Sequence, residues 1–170
     1  MHKVLYDRNG LLYVFRFCLY SSLGLSWFYL GDLDLLLKPM LTFLARAVGE
    51  ILSRTGFAVI ILDQKVVFPG VFGIDIANEC SAVSQMIIAA SAILAYPATP
   101  RFRLLGLFLF AVIIFIGNIL RLTSLFWIGV RANEYFDFVH FYVWGGLGYI
   151  GLLILLFLWM RITPEPRLHH

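Results

Sequence analysis

Long apolar runs separated by short charged turns dominate the chain. They cover about 11–30, 80–96, 104–128 and 141–160. A helix needs about 20 apolar residues to cross the hydrocarbon core of a bilayer, so the second run is a little short. Pro97 and Pro100 end it, since proline cannot continue the hydrogen-bond ladder, and Pro164 and Pro166 follow the fourth run. The stretch 33–52 differs. Its charges at Lys38, Arg46 and Glu50, with Arg54 just beyond, leave one polar face, and Pro39 suits a first helical turn. This predicts an amphipathic helix lying in the membrane interface, with a fifth span as the alternative. From 57 to 77 the chain is rich in Val, Ile and Phe, has Pro69-Gly70 near its middle and nearly alternates over 71–76. That pattern predicts a small β-hairpin or two short strands. Open strand edges cannot face lipid, so this piece belongs in water, where it leads into Asn78-Glu79-Cys80. The fold class expected is all-α integral membrane: a polytopic bundle of about four transmembrane helices in a single domain over 1–170. An extracytoplasmic insertion at about 31–79 carries the amphipathic helix and the hairpin.

Composition supports this and fixes an orientation. The 170 residues are 61% hydrophobic and 14% charged, whereas a soluble domain is nearer half apolar and a quarter charged. The net charge of +3 is modest, and the basic residues sit in short loops rather than in a stripe. No nucleic-acid partner is expected. The first run carries Arg16 and lacks a small-residue cleavage site, so it reads as a retained helix rather than a signal peptide. Lys3, Arg8 and Arg16 open the first span, Arg101 and Arg103 lie between the second and third, and Arg161 and Arg167 follow the fourth. These places alternate correctly if all are cytoplasmic. Asp32, Asp34, Glu50, Asp63, Asp75, Glu79, Glu134 and Asp137 then fall outside, with Asp7 and Glu165 inside. The start of the second span, the end of the third and the start of the fourth share the outer face. The final Leu168-His169-His170 enters no argument.

Three residues near those outer ends carry candidate chemistry. Of the two cysteines, Cys18 lies in the inner half of the first span and is expected to pack as a small hydrophobe. It stands roughly half a bilayer from Cys80, too far for a disulfide. Cys80 opens a helix at an aqueous boundary, where the helix N-terminus and a nearby cation lower a thiol pKa and favour the nucleophilic thiolate. The alternative is a small residue buried in a tight bundle. Arg121 interrupts an apolar run. It either snorkels to the outer headgroups or, sharing a helix face with Asn118, lines an interior cavity. There it would lower the Cys80 pKa, hold a substrate carbonyl or stabilise an oxyanion. His140 suits general acid–base work near neutral pH, with Asp137 three residues earlier to orient it; a solvated interfacial histidine is the alternative. Ser81, Ser84 and Gln85 line the start of the second span, where small residues allow close helix packing. Gly145, Gly148 and Gly151 are packing glycines. No Walker-type phosphate loop, HExxH or GxSxG element occurs, which argues against nucleotide hydrolysis, zincin and serine-hydrolase chemistry. Nothing in the chain demands a metal or an organic cofactor.

Asn78-Glu79-Cys80-Ser81-Ala82, then Gly117-Asn118-Ile119-Leu120-Arg121-Leu122, then His140 followed by Gly145-Gly146, resemble the exosortase/archaeosortase family of membrane cysteine transpeptidases over about 57–151. The resemblance implies that Cys80, Arg121 and His140 are the family's cysteine, arginine and histidine. It implies substrates that are exported proteins with a C-terminal sorting tail: a short motif, a transmembrane helix and a basic cluster. Cleavage near the motif would pass through a Cys80 thioester to an unspecified amine acceptor or to water. The implied location is a bacterial cytoplasmic membrane, with the site on the extracytoplasmic side. Two positions depart from the family's usual pattern: Ala82 stands where glycine is frequent, and a glycine follows the histidine after five residues rather than four. The short chain resembles the small exosortase H type. The competing readings are a non-catalytic membrane assembly or export factor and a membrane acyltransferase using His140 as base.

Overall fold

Apolar chain in lipid must satisfy its own backbone groups, and helices do this within one segment. The computed structural model describes residues 8–31 and 33–163 and is mostly helical. The helices are α1 (Arg8–Leu30), α2 (Asp34–Arg54), α3 (Val83–Ala95), α4 (Pro100–Arg131), a single-turn α5 (Phe136–Phe138) and α6 (Gly145–Ile162). Lys3, Asp7, Asp32, Pro164, Glu165, Pro166, Arg167 and the histidine end lie outside the described residues.

Among the described residues, three stretches are long and apolar enough to cross a membrane: Gly10–Leu30, Pro100–Arg131 and Asn133–Ile162. The second expected span is shorter than its apolar run. Asn78–Ser81 forms a 3-10 turn and Ala82 takes a left-handed φ of 60°, so α3 begins only at Val83 and has 13 residues. The third is longer than expected, opening on Pro100, a residue already suited to a first turn. The fourth is not a plain α-helix at its start. A 3-10 turn (Asn133–Tyr135), α5 and a π-helical turn (Val139–Trp144) precede α6.

The chain divides into two packing units. One comprises α1, α3 from Ser84, α4 to Val112 and α6 from Ile150. Here Tyr96 meets Tyr13 edge-on at 5.9 Å and Trp159 at 5.6 Å, and Arg103 donates to the Tyr96 carbonyl at 3.0 Å. Cys18 is exposed on α1 rather than packed, because most of that helix turns its side chains outward.

The second unit, 32–83 and 113–149, holds the candidate site. Its sheet has three antiparallel strands in the order β1-β2-β3: β1 (Ile60–Leu62), β2 (Lys65–Phe68) and β3 (Phe72–Asp75). The expected hairpin is therefore a three-stranded meander. The segment turns twice, once at Asp63 (φ 57°) and once at Pro69-Gly70, where Gly70 has φ 74°. Side chains alternate as a pleat requires. Val66 and Ile76 are fully buried, with Phe68, Phe72 and Ile74 against the same core. On the opposite face Lys65 and Asp75 form an ion pair at 3.1 Å. The apolar stripe of α2 (Leu41, Leu44, Ala45, Val48, Leu52) closes that core against the sheet and against Leu122 and Phe126 of α4. The stripe read as resting on the membrane interface thus buries itself in protein. Pro39 falls inside α2 rather than in its first turn, which leaves the Leu35 carbonyl without its helical donor.

Candidate active site

Cys80 is placed by the strand before it and a pinned turn around it. The Ile76 N–H donates to the Gln64 carbonyl at 3.0 Å, extending the β2–β3 ladder one residue past β3. The chain then closes into the 3-10 turn, with the Cys80 N–H on the Ala77 carbonyl at 2.9 Å. The fully buried Ser81 hydroxyl donates to the Asn78 carbonyl and accepts the Val83 N–H at 3.3 Å. The Asn78 amide donates to the Asp34 carboxylate. Ser81 therefore supports the turn that carries Cys80. Ser84 and Gln85 are half-buried, and their side chains make no hydrogen bond among the described residues.

Across from this turn, one face of α4 presents Asn118 and Arg121, as their three-residue spacing requires. Asn118 is 3% exposed, and its Nδ2 donates to the Cys80 carbonyl at 2.8 Å. Its Oδ1 is buried without a partner. One turn on, the half-buried Arg121 guanidinium stands beside the Cys80 thiol and reaches His140, Nη2 to Nε2, at 3.4 Å. Guanidinium is a donor only, so His140 Nε2 accepts and the ring proton sits on Nδ1. Arg121 has no carboxylate partner among the described residues, and its Nε is buried and unpaired.

The structure thus brings Cys80, Asn118, Arg121 and His140 together, with Arg121 in the middle. Asp137 lies near enough for its charge to act on His140 but does not contact the ring. It is exposed and makes no hydrogen bond to His140, whose ring lies instead at 5.7 Å from Phe136 and 4.7 Å from Phe141. The wide π-helical turn, not an α-helix N-terminus, presents His140 to Arg121. Such turns recur at functional sites, and no local sequence pattern marks this one.

The thiol is not the low-pKa group that a helix N-terminus would produce. Burial pushes the Cys80 pKa above its ordinary value, and the Arg121 charge pulls it down without cancelling that effect. Cys80 precedes the left-handed Ala82, outside the regular helix, so it misses most of the dipole of α3. At rest the site holds a neutral thiol beside an uncompensated cation, an arrangement that favours negative charge arriving on sulfur or on a neighbouring oxygen. No group of three or more His, Cys, Asp or Glu residues able to hold a metal occurs among the described residues.

The left-handed Ala82 and the Asn118 contact to the Cys80 backbone escaped the sequence reading. The family's frequent glycine at position 82 was the available signal for the first, since glycine is the residue that enters that conformation freely.

A family model described as transmembrane exosortase (EpsH) matches residues 7–160. The chain belongs to the transmembrane exosortase family. The matched range takes in the whole 3-10 turn, Asn118, Arg121 and His140, so the cluster lies within the exosortase region. No curated protein and no solved structure matches the chain.

Proposed function

We propose that this exosortase is a membrane cysteine peptidase or transpeptidase that cleaves the C-terminal sorting tail of exported proteins. The observation that carries the reading is Arg121, a cation without a carboxylate partner, set between the Cys80 thiol and the His140 ring. In the reaction the His140 ring leaves its Arg121 contact and its Nε2 takes the Cys80 proton. The sulfur lone pair then attacks the scissile carbonyl carbon, forming the C–S bond and pushing the carbonyl electrons onto oxygen. Arg121 stabilises first the thiolate and then that oxyanion. Collapse breaks the C–N bond, and the leaving nitrogen takes the proton from His140. An amine acceptor or water then attacks the thioester, gives a proton to His140 and releases Cys80, which recovers its own. Acceptor access alone separates transfer from hydrolysis. Asn118, by holding the Cys80 carbonyl, keeps the turn in place.

The topology that accompanies this reading is multi-pass in a bacterial cytoplasmic membrane, with the site on the extracytoplasmic side. The 13-residue α3 crosses as the second of four spans, because only then do Arg101, Arg103 and Arg161 share the cytoplasmic side with Arg16. The charged face of α2 meets the outer headgroup region. The substrate's own helix lies in the bilayer and its basic tail stays cytoplasmic.

The test is processing in cells. A secreted protein ending in a motif, a membrane helix and a basic tail is co-expressed with wild type, Cys80→Ala, Arg121→Ala or His140→Ala, with membrane abundance of each variant measured. Cleavage by wild type and its loss in all three variants at normal abundance is the expected result. Normal processing by Cys80→Ala overturns the thioester mechanism.

A further inference from the structure

The sheet beside the nucleophile ends in an open strand. The Ile76-to-Gln64 bond sets the phase of the β2–β3 ladder. With the register Lys65↔Asp75, Val66↔Ile74, Val67↔Gly73 and Phe68↔Phe72, the residues bonded to β2 are Phe72 and Ile74, and those turned away are Gly73 and Asp75. Ala77 takes the Asp75 carbonyl at 3.2 Å. The Gly73 N–H, the Gly73 carbonyl and the Asp75 N–H therefore point off the free edge, and no bond within the described residues meets them. Gly73 and Asp75 are both exposed, and Gly73 adds no side chain to keep another backbone away. A groove of about 550 Å³ adjoins this strand end. One wall is the first turns of α2, from Asp34 to Leu41, and the other runs from Gln64 and Asp75 through Ala77 to Glu79, so the groove reaches the residue before Cys80.

We propose that the free edge of β3 binds the exported substrate as an added, extended strand, on the amino-terminal side of the scissile bond. An open ladder is satisfied by water or by another extended backbone, and β3 is the edge whose own chain runs on into the nucleophile's turn. The bound segment must be the amino-terminal side, because the carboxy-terminal side of the tail continues as a membrane helix. Main-chain pairing aligns the peptide whatever its side chains, and the groove from Asp75 to Glu79 leaves room for the residues next to the cleavage point. The inference rests on the sorting-tail reading above for the identity of the occupant.

Two experiments test it in the full-length protein in proteoliposomes. Gly73→Pro removes one outward N–H without removing a β2–β3 bond. It should raise KM for a sorting-tail peptide by about fivefold to tenfold with kcat little changed. Unchanged kcat/KM in a well-folded Gly73→Pro protein overturns the proposal. Independently, a photo-cross-linking residue replaces Val71 at the β3 end or Ile60 on the opposite edge, in a Cys80→Ala background that cannot turn over. Capture of the sorting-tail peptide from position 71 and not from 60 supports the edge; equal capture, or capture from 60 alone, refutes it. Cross-linking does not need cleavage, so a failed mechanism and a failed docking edge give different results.

Discussion

Arg121 decides the character of the site, because it stands beside the thiol, reaches the imidazole and has no carboxylate partner among the described residues. Arg121→Lys keeps the charge but loses the planar fork that serves two partners. Its kcat/KM should fall about 100-fold, the scale of losing one preorganised donor, measured on the sorting-tail peptide. The pH profile follows from burial. Because Cys80 titrates above an ordinary thiol, its thiolate fraction should still be rising well into the alkaline range, and with it the alkylation rate in a Cys18→Ala background. Arg121→Gln, which removes the downward pull, should move that rise to higher pH. The same sign makes folding less favourable as pH climbs through the thiol's titration, since the folded state holds the proton more tightly. Ala82 is the third residue of consequence. A left-handed alanine costs about 1–2 kcal/mol, yet its buried methyl contributes about 0.8 kcal/mol and glycine adds unfolded-chain entropy. Ala82→Gly should therefore change the thermal midpoint little, whereas Ala82→Val, β-branched and buried, should lower it clearly.

At the scale of elements, β3 is held from behind by aromatic rings. Phe72 meets Phe126 at 5.6 Å and Phe136 at 5.5 Å, and Gly129 on α4 lies directly against its ring. A methyl at position 129 would overlap Phe72. Gly129→Ala should destabilise by about 1–3 kcal/mol through overpacking, and Gly129→Ala with Phe72→Leu should lose less than the sum of the two single changes in thermal unfolding. The strand itself was legible: alternation over 71–76 reads directly as a pleat. Its predecessor hairpin was not, because the first turn uses a left-handed Asp63 followed by Gln64, in place of the Asn-Gly or Asp-Gly signal that marks two-residue turns. The amphipathic pattern of α2 was visible in the sequence. Its partner was not, since a stripe of apolar residues fits lipid and protein equally well until the sheet and α4 are in place.

At the scale of the whole molecule, the number of spans turns on α3. Three stretches among the described residues are long enough, and α3, at about 20 Å for its 13 residues, falls short of a hydrocarbon core of about 30 Å. If α3 stayed on one side, Arg101, Arg103 and Arg161 would lie opposite Arg16, against the distribution that basic loops follow. Reporter fusions after Thr55, Ala98 and Ala132 should therefore read outside, inside and outside. An outside signal at Ala98 would show that α3 does not cross.

The sequence by itself determined the membrane class, the order of the apolar runs, the strand leading to Cys80 and the three chemical groups. All of these are encoded locally, in run length, period and residue type. Only the tertiary structure decided what those groups touch. Asn118 lies 38 residues from the carbonyl it holds and Arg121 lies 19 from the ring it reaches, and no local period reports on contacts of that separation. The left-handed Ala82, the π-helical turn under His140 and the open edge of β3 belong to the same class. Each is set by how distant segments close around it, through packing and the satisfaction of backbone polar groups.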